Sequence, residues 1–431
     1  MARRNAPRFR GQRLASRLVR GFVERNPLLL LVAAGIGIRI ALAFAFFGSG
    51  DLSVMEFFGR GFEQDALDVY GINEGRNFLI WPYPPAYFAW VVVALELADF
   101  SGLPYHGIVQ LLPIAADVGV AVAVHVYLGW RGAGERLRLA GAALVMLGPC
   151  FIAISGYHGQ IDSVAILPAV LALMVWERTR ARGRALEAGL LIGLGAAIKT
   201  VPLLVVAPLL GSVRSLREST VLIGAAAGVP LLMLLPFFIA EPDGVRAAAE
   251  YQGLQARGGL GLVVDPALAV DRLGSLERFG EGTPNGLNTW LDTNAVVIIA
   301  LVLVGYTLFV VRYRPSPIDA VVMLWLTVYV FSPNFLLQYL IWGLPFFIMA
   351  GYLREVAVLQ LALVPALVIT YLIPFENPTP AAIVYLPSMI LLWGFWAVAL
   401  VTLAARVVRR RDTDTRGTQP PLVTVTADSR A

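Results

Sequence analysis

The sequence predicts an all-α, polytopic transmembrane protein with about 10–12 membrane helices, and three observations carry that prediction. Hydrophobic residues fill 58% of its 431 positions and charged residues only 15%, against roughly 45–50% and ~25% in water-soluble domains. Mean hydropathy is +0.72. Apolar runs such as 27–47 and 295–311 reach or approach the ~20 residues that cross a bilayer core.

The elements follow in order. An Arg-rich head, residues 1–26, precedes a first apolar run at Pro27. That run is too long for a signal-peptide core and lacks a cleavage site, so it reads as a retained helix. Apolar segments then occupy 27–47, 86–100, 104–128, 139–156, 163–177, 188–212, 219–239, 293–311, 317–331, 335–351, 356–373 and 382–406. Six arginine clusters orient them: the head, Arg131–Arg138, Arg178–Arg184, Arg214 with Arg217, Arg312 with Arg314, and Arg406–Arg411. Placing all six in the cytoplasm puts three polar stretches outside, 48–85, 156–162 and 241–292. Under that arrangement 86–100 is not a full crossing and is expected to lie along the outer face or as a half-helix. Segment 188–212 must enter and return, which predicts two short helices broken near Lys199, Thr200 and Pro202. The membrane domain is thus 27–407, followed by a polar cytoplasmic tail, 408–431, expected to be disordered.

Composition also excludes several functions. The net charge of +5 gathers beside apolar runs as in cytoplasmic loops, and no nucleic-acid-binding motif accompanies it. Cys150 is the only cysteine, so there is neither an intramolecular disulfide nor a Cys-rich metal site. Of 34 Lys+Arg residues one is lysine, Lys199, and it sits inside an apolar segment.

Four places concentrate chemistry. Asp51 follows the first span by four residues, with Glu56 beyond it; an outer loop acid is either a functional carboxylate at the head-group boundary or simply solvated, as Glu63, Asp65, Asp68 and Glu74 are expected to be. Trp81-Pro82-Tyr83-Pro84-Pro85 is an aromatic belt or the rigid wall of a cleft. His158, Gln160 and Asp162 place an imidazole, an amide and a carboxylate within five residues. They suit a sugar or phosphate, or form a hydrated turn, and are too few for a firm catalytic zinc site. Lys199 either snorkels or meets a phosphate oxygen at the base of a cavity. Arg39 and Asp117, both in spans, read as a structural pair.

These stretches, in this order, resemble the GT-C superfamily of membrane glycosyltransferases, which take a sugar from a polyprenyl-phosphate carrier. Gly50-Asp51 with Glu56 is similar to the acidic first-loop motif of the family's lipid-linked-oligosaccharide glucosyltransferases. Tyr83-Pro84-Pro85 resembles their Tyr-Pro-Pro lead into the next helix, and His158-Gly159-Gln160-Ile161-Asp162 their His-x-Gln-x-Asn turn. The segment from Ala197 to Pro208 resembles their lysine-containing broken helix; Gly286–Trp290, with Asn288, and Phe331–Pro345, with Gln338 and Tyr339, are also similar to family segments. Bacterial and GPI-type mannosyltransferases share the plan. The sequence departs from the glucosyltransferases in having Leu337-Gln338-Tyr339 where they have His-Glu-Lys, and Pro82 where they have Asp, so the donor sugar does not carry over.

The resemblance implies a hexosyltransferase that moves a sugar from a polyprenyl phosphate to a lipid or glycan acceptor on the extracytoplasmic face of the cell membrane. Asp51 would be the base. Glu56, Tyr83, His158, Gln160, Asp162, Lys199, Asn288, Gln338 and Tyr339 would bind substrate, with Arg246 or Arg257 as further phosphate partners. One carboxylate base and no covalent intermediate imply direct displacement with inversion. The Arg-heavy composition suggests a high-GC bacterium and hence mannose as donor sugar. No cofactor is expected, a divalent cation on Asp162 being the lesser alternative. The rival class is a secondary transporter or lipid-carrier flippase, against which stand the lack of a duplicated half and the gathering of polar residues on one face.

Overall fold

The computed structural model describes residues 26–74, 80–178, 183–251, 258–267, 286–371 and 381–417. These residues are almost wholly helical and contain no strand. The described residues open with α1 (Pro27–Ala45), whose Pro27 stands at the first helical position, where its missing N–H costs nothing. The amphipathic α2 (Gly50–Gln64) and a 3₁₀ turn (Asp68–Asn73) lead to α3 (Phe88–Ser101), which ends at Gly102, φ 68°, before Pro104. Next come α4 (Tyr105–Trp130), α5 (Glu135–His158), α6 (Asp162–Arg178), α7 (Arg184–Ala196), α8 (Val201–Leu210) and α9 (Leu216–Ala240). Short α10 (Pro242–Glu250), α11 (Gly259–Val264) and α12 (Gly286–Thr293) then precede the last group. That group is α13 (Ala295–Tyr313), α14 (Pro317–Phe331), α15 (Leu337–Met349), α16 (Leu353–Ala362), α17 (Val364–Tyr371) and α18 (Leu386–Gly417).

Among the described residues six helices are long and apolar enough to cross a bilayer: α1, α4, α5, α9, α13 and the stretch Ile383–Arg411, which holds most of α18. The pair α16 and α17, bent by 45°, makes a seventh if it counts as one span. The protein is therefore an all-α multi-pass membrane protein. The remaining expected segments fall short of a full span, as α14 and α15 do. The 188–212 segment breaks between Ala196 and Val201 into α7 and α8, as Lys199 and Pro202 predict. Gly148-Pro149 divides α5, and Gln360 fills that break: its Oε1 accepts from Cys150 N at 3.3 Å and its Nε2 donates to Leu144 O at 3.0 Å.

Three expectations need correction. The 48–85 stretch is not an irregular loop, since Leu52, Met55, Phe58 and Gly59 repeat at helical spacing and bury the inner face of α2 against α3. The tail is not irregular from 408 onward, because α18 runs on to Gly417; no glycine or proline falls between Gly394 and Gly417. The stretch around Asp65 and Asp68, expected as solvated loop, is likewise a defined turn. Asp65 Oδ1 accepts from Leu67 N at 3.0 Å, and Asp68 begins the 3₁₀ turn. The basic head, residues 1–25, lies outside the described residues.

The core has two parts. A large one joins α4–α8, α14, α15 and α18, with Trp176, Trp325, Tyr329 and Trp396 buried. A smaller one, around Phe58, Trp81, Tyr87 and Phe88, joins α2, α3 and the first turn of α4. Between them Arg39 on α1 meets Asp117 on α4 at 2.9 Å, both fully buried, as a structural pair. Ser155 and Ser163 also donate to Asp117, and the Arg39 guanidinium donates to the carbonyls of Gly35, Val145 and Met146. Every strand of this network is satisfied, which is what makes a buried pair tolerable.

The arginine clusters meet one another at one end of the bundle. Arg178 lies over Trp130, Arg184 pairs with Glu218 at 2.6 Å, and Arg410 reaches Asp319. Tyr313 carries both Arg312 and Arg411 against its ring. The polar residues singled out above gather elsewhere.

Candidate functional site

The site forms where four segments converge: the start of α2, the end of α5 with the turn into α6, the break between α7 and α8, and the start of α15. The last turn of α5, Ile152–His158, is π-helical, a form that recurs at functional sites. It shifts His158 out of the α-helical register and ends at Gly159, φ 78°. A Cβ at Gly159 would lie 2.5 Å from Leu52 Cδ2, so glycine there lets α2 approach. Ser49 closes the contact by donating to His158 O at 2.8 Å.

Asp51 therefore stands in the first turn of α2, facing the 158–160 turn. Its Oδ2 accepts a hydrogen bond from the Gln160 amide and lies 3.5 Å from His158 Nε2. Its side chain is half exposed, whereas His158, Gln160 and Asp162 are buried. His158 Nε2 is 2.8 Å from Gln338 Oε1 on the turn before α15, and the imidazole rests against the Tyr371 ring, centroids 4.7 Å apart. With Asp51 Oδ2 and Gln338 Oε1 both beside Nε2, the tautomer that carries its proton on that nitrogen suits the site.

Lys199 is not a snorkelling side chain. Its ammonium donates to Asp162 Oδ1 at 2.7 Å and is nearly buried. The rings of Tyr83, Trp342 and Tyr339 surround it at 5.1, 5.5 and 5.7 Å. Trp342 Nε1 donates to the same Asp162 oxygen, and its ring stacks on Tyr339 at 3.9 Å. Tyr83 is brought there by backbone: Ala86 N donates to Ala197 O at 3.1 Å, and Tyr70 OH donates to Tyr83 O at 2.6 Å. Burial, with Asp51 and Asp162 nearby, pushes the Tyr83 hydroxyl well above its ordinary value, so it keeps its proton.

Three buried polar atoms here have no hydrogen-bond partner among the described residues: Gln160 Oε1, Asp162 Oδ2 and His158 Nδ1. Gln160 Oε1 and Asp162 Oδ2 are acceptors, and His158 Nδ1 is one in the tautomer that carries its proton on Nε2. Burial without a donor is costly, so the arrangement suits a ligand rich in hydroxyls.

The structure thus brings together Asp51, Tyr83, His158, Gln160, Asp162, Lys199, Gln338 and Tyr339. It does not bring Glu56, which lies on the side of α2 toward Tyr105 and His106. Asn288 is buried against Gly261 and the Pro333 turn, a support for the segment leading to Gln338. Arg246 is exposed and paired with Asp243 at 3.0 Å; Arg257 lies outside the described residues. Trp342 and Tyr371 were missed. Trp342 follows Tyr339 by three residues on a helix, the spacing of one face, and that signal was present. Among the described residues no group of three or more His, Cys, Asp or Glu side chains is placed to hold a metal ion.

Residues 81–338, more than half of the chain, match the profile of Glycosyltransferase family 87. The match takes in Tyr83, the 158–162 turn, Lys199, Asn288 and Gln338, and leaves Asp51, Glu56 and Tyr339 beyond its ends. No curated protein matches the chain.

Proposed function

The chain belongs to Glycosyltransferase family 87, a membrane family of the GT-C type, and from that premise we propose that it moves a hexose from a polyprenyl phosphate to a lipid or glycan acceptor, with Asp51 as base. Family membership makes it a glycosyltransferase with a donor and an acceptor. The observation that carries the finer reading is the set of three buried, partnerless acceptors beside a half-exposed carboxylate. Hydroxyls of a sugar supply the donors those atoms lack.

In this reading the acceptor hydroxyl approaches Asp51, whose carboxylate takes its proton as the acceptor oxygen bonds to the anomeric carbon. The bond from that carbon to the phosphate oxygen breaks on the opposite face, and its electrons leave with the polyprenyl phosphate. The configuration inverts. Gln160 fixes one oxygen of Asp51, while His158, held by Gln338 and Tyr371, lines the sugar. Lys199, with N–H groups beyond the one given to Asp162, meets the phosphate as charge builds on it. Mannose is the proposed sugar. Phosphate is already a good leaving group, so charge stabilisation matters more than protonation.

Incubating purified protein with a panel of polyprenyl-phosphate hexoses and an envelope lipid extract tests this. Transfer from at least one such donor is expected; transfer from nucleotide sugars alone would overturn the donor class. The basic clusters share the end away from Asp51, which supports an extracytoplasmic site in the cell membrane. A reporter fused after Pro242 should then read as external, and a cytoplasmic reading would reverse the orientation.

A further inference from the structure

The basic end of the bundle holds a cavity of about 330 Å³ that takes no part in the proposed transfer. It opens between the last turn of α13, the start of α14 and the far end of α18. Its lining includes Arg314, Arg410 and Arg411, with Tyr313, Ser316 and a single acid, Asp319. Asp319 is engaged by Ser316 Oγ at 2.7 Å and by Arg410 at 3.9 Å. Along the sequence the excess persists, since 406–416 carries five arginines against Asp412 and Asp414.

Two further observations define the ligand. The cavity lies where α13 and the 383–411 span end, at the level where a bilayer gives way to water. Away from the cavity the outward faces of those helices are apolar and exposed, with Leu308 66%, Val398 68% and Val401 69% accessible, as surfaces turned to lipid are. Arg314 has a left-handed backbone, φ 51°, the only non-glycine residue with positive φ among those described. That conformation closes α13, the Arg314 N–H bonding back to Val310 O at 2.8 Å, and it holds the side chain at the helix end beside the cavity.

We propose that this cavity binds the phosphodiester headgroup of an anionic phospholipid, with its acyl chains along α13 and α18. The arginines supply fork-shaped donors for the phosphate oxygens, and the cavity's place at the ends of two spans puts the chains in the bilayer beside it. A soluble phosphate shares the headgroup chemistry but would gain nothing from the bilayer at that level.

Native mass spectrometry of the purified chain in detergent, with short-chain phosphatidylglycerol or phosphatidylcholine added, tests the site. The parent should retain phosphatidylglycerol at least about tenfold better. Arg314→Gly suits the left-handed backbone and should fold as well as the parent, yet its affinity should fall about fivefold, the worth of one interfacial arginine. Adding Arg410→Gln and Arg411→Gln should abolish the preference, while Arg136→Gln, in a different basic cluster, should leave it intact. Unchanged retention in Arg314→Gly, which decides the matter even if the triple variant fails to fold, would overturn the site. Displacement of the lipid by inorganic phosphate at equal concentration would overturn the lipid assignment.

Discussion

Lys199 shows how the structure changes the meaning of a residue that the sequence makes conspicuous. A lone intramembrane lysine invites a phosphate, but here its charge is also the partner of Asp162, which is fully buried. Removing one member of a buried pair costs about 3–5 kcal/mol, because the other charge is left unpaired. Lys199→Met alone should therefore lose both stability and donor use. The double variant Lys199→Met with Asp162→Asn should regain thermal stability without regaining turnover. Recovery of turnover alongside stability, in the same transfer assay, would return the lysine to a purely structural role. Trp342 and Tyr371 were illegible for a different reason. Their partners, Asp162 and His158, lie 180 and more residues away in the chain, and no local pattern links an indole to a distant carboxylate.

At the scale of elements, legibility followed periodicity and punctuation. Pro202 announced the break after Ala196, and Arg39 with Asp117 announced a pair because isolated charges in apolar spans need partners. The helix over 50–64 was equally written in the spacing of Leu52, Met55 and Phe58, but its polar outer face disguised it as a loop. The π-helical end of α5 carries no such signature, since its extra residue per turn arises from packing against α1 and α2. The seam between the 68–73 turn and α10 yields a pH prediction. Glu241, at the end of α9, sits beside Asp68, and desolvation first, then that neighbouring carboxylate, raise its pKa above the ordinary value. A raised folded-state value means the docking of α10 is strongest below the usual carboxylate range and is lost as pH climbs through Glu241's raised value. Hydrogen exchange over 242–250 should accordingly quicken beyond its intrinsic rate as pH rises above the ordinary carboxylate range, and Glu241→Gln should remove the excess.

The whole molecule places chemistry at one end and basic anchoring at the other, with the Arg39 network between. That network ties α1, α4, α5 and α6 beneath the site. Arg39→Met should destabilise the protein by about 3–5 kcal/mol, the cost of an orphaned buried carboxylate. Asp117→Asn added to it should restore part of the loss in a thermal unfolding series in one detergent. The arrangement also concentrates the functional claim on Asp51, which lies outside the family-matched residues and yet faces the buried acceptors within them. The most direct test is the turnover of Asp51→Asn against the parent, with Asp65→Asn as control, in polyprenyl-phosphate hexose transfer. A positioned base contributes roughly 10²–10⁴-fold, or about 3–5 kcal/mol. The Asp51 variant should therefore fall at least about a hundredfold while still binding donor, and the Asp65 variant should stay close to the parent. An Asp51→Asn protein that transfers sugar at close to the parental rate would contradict the account.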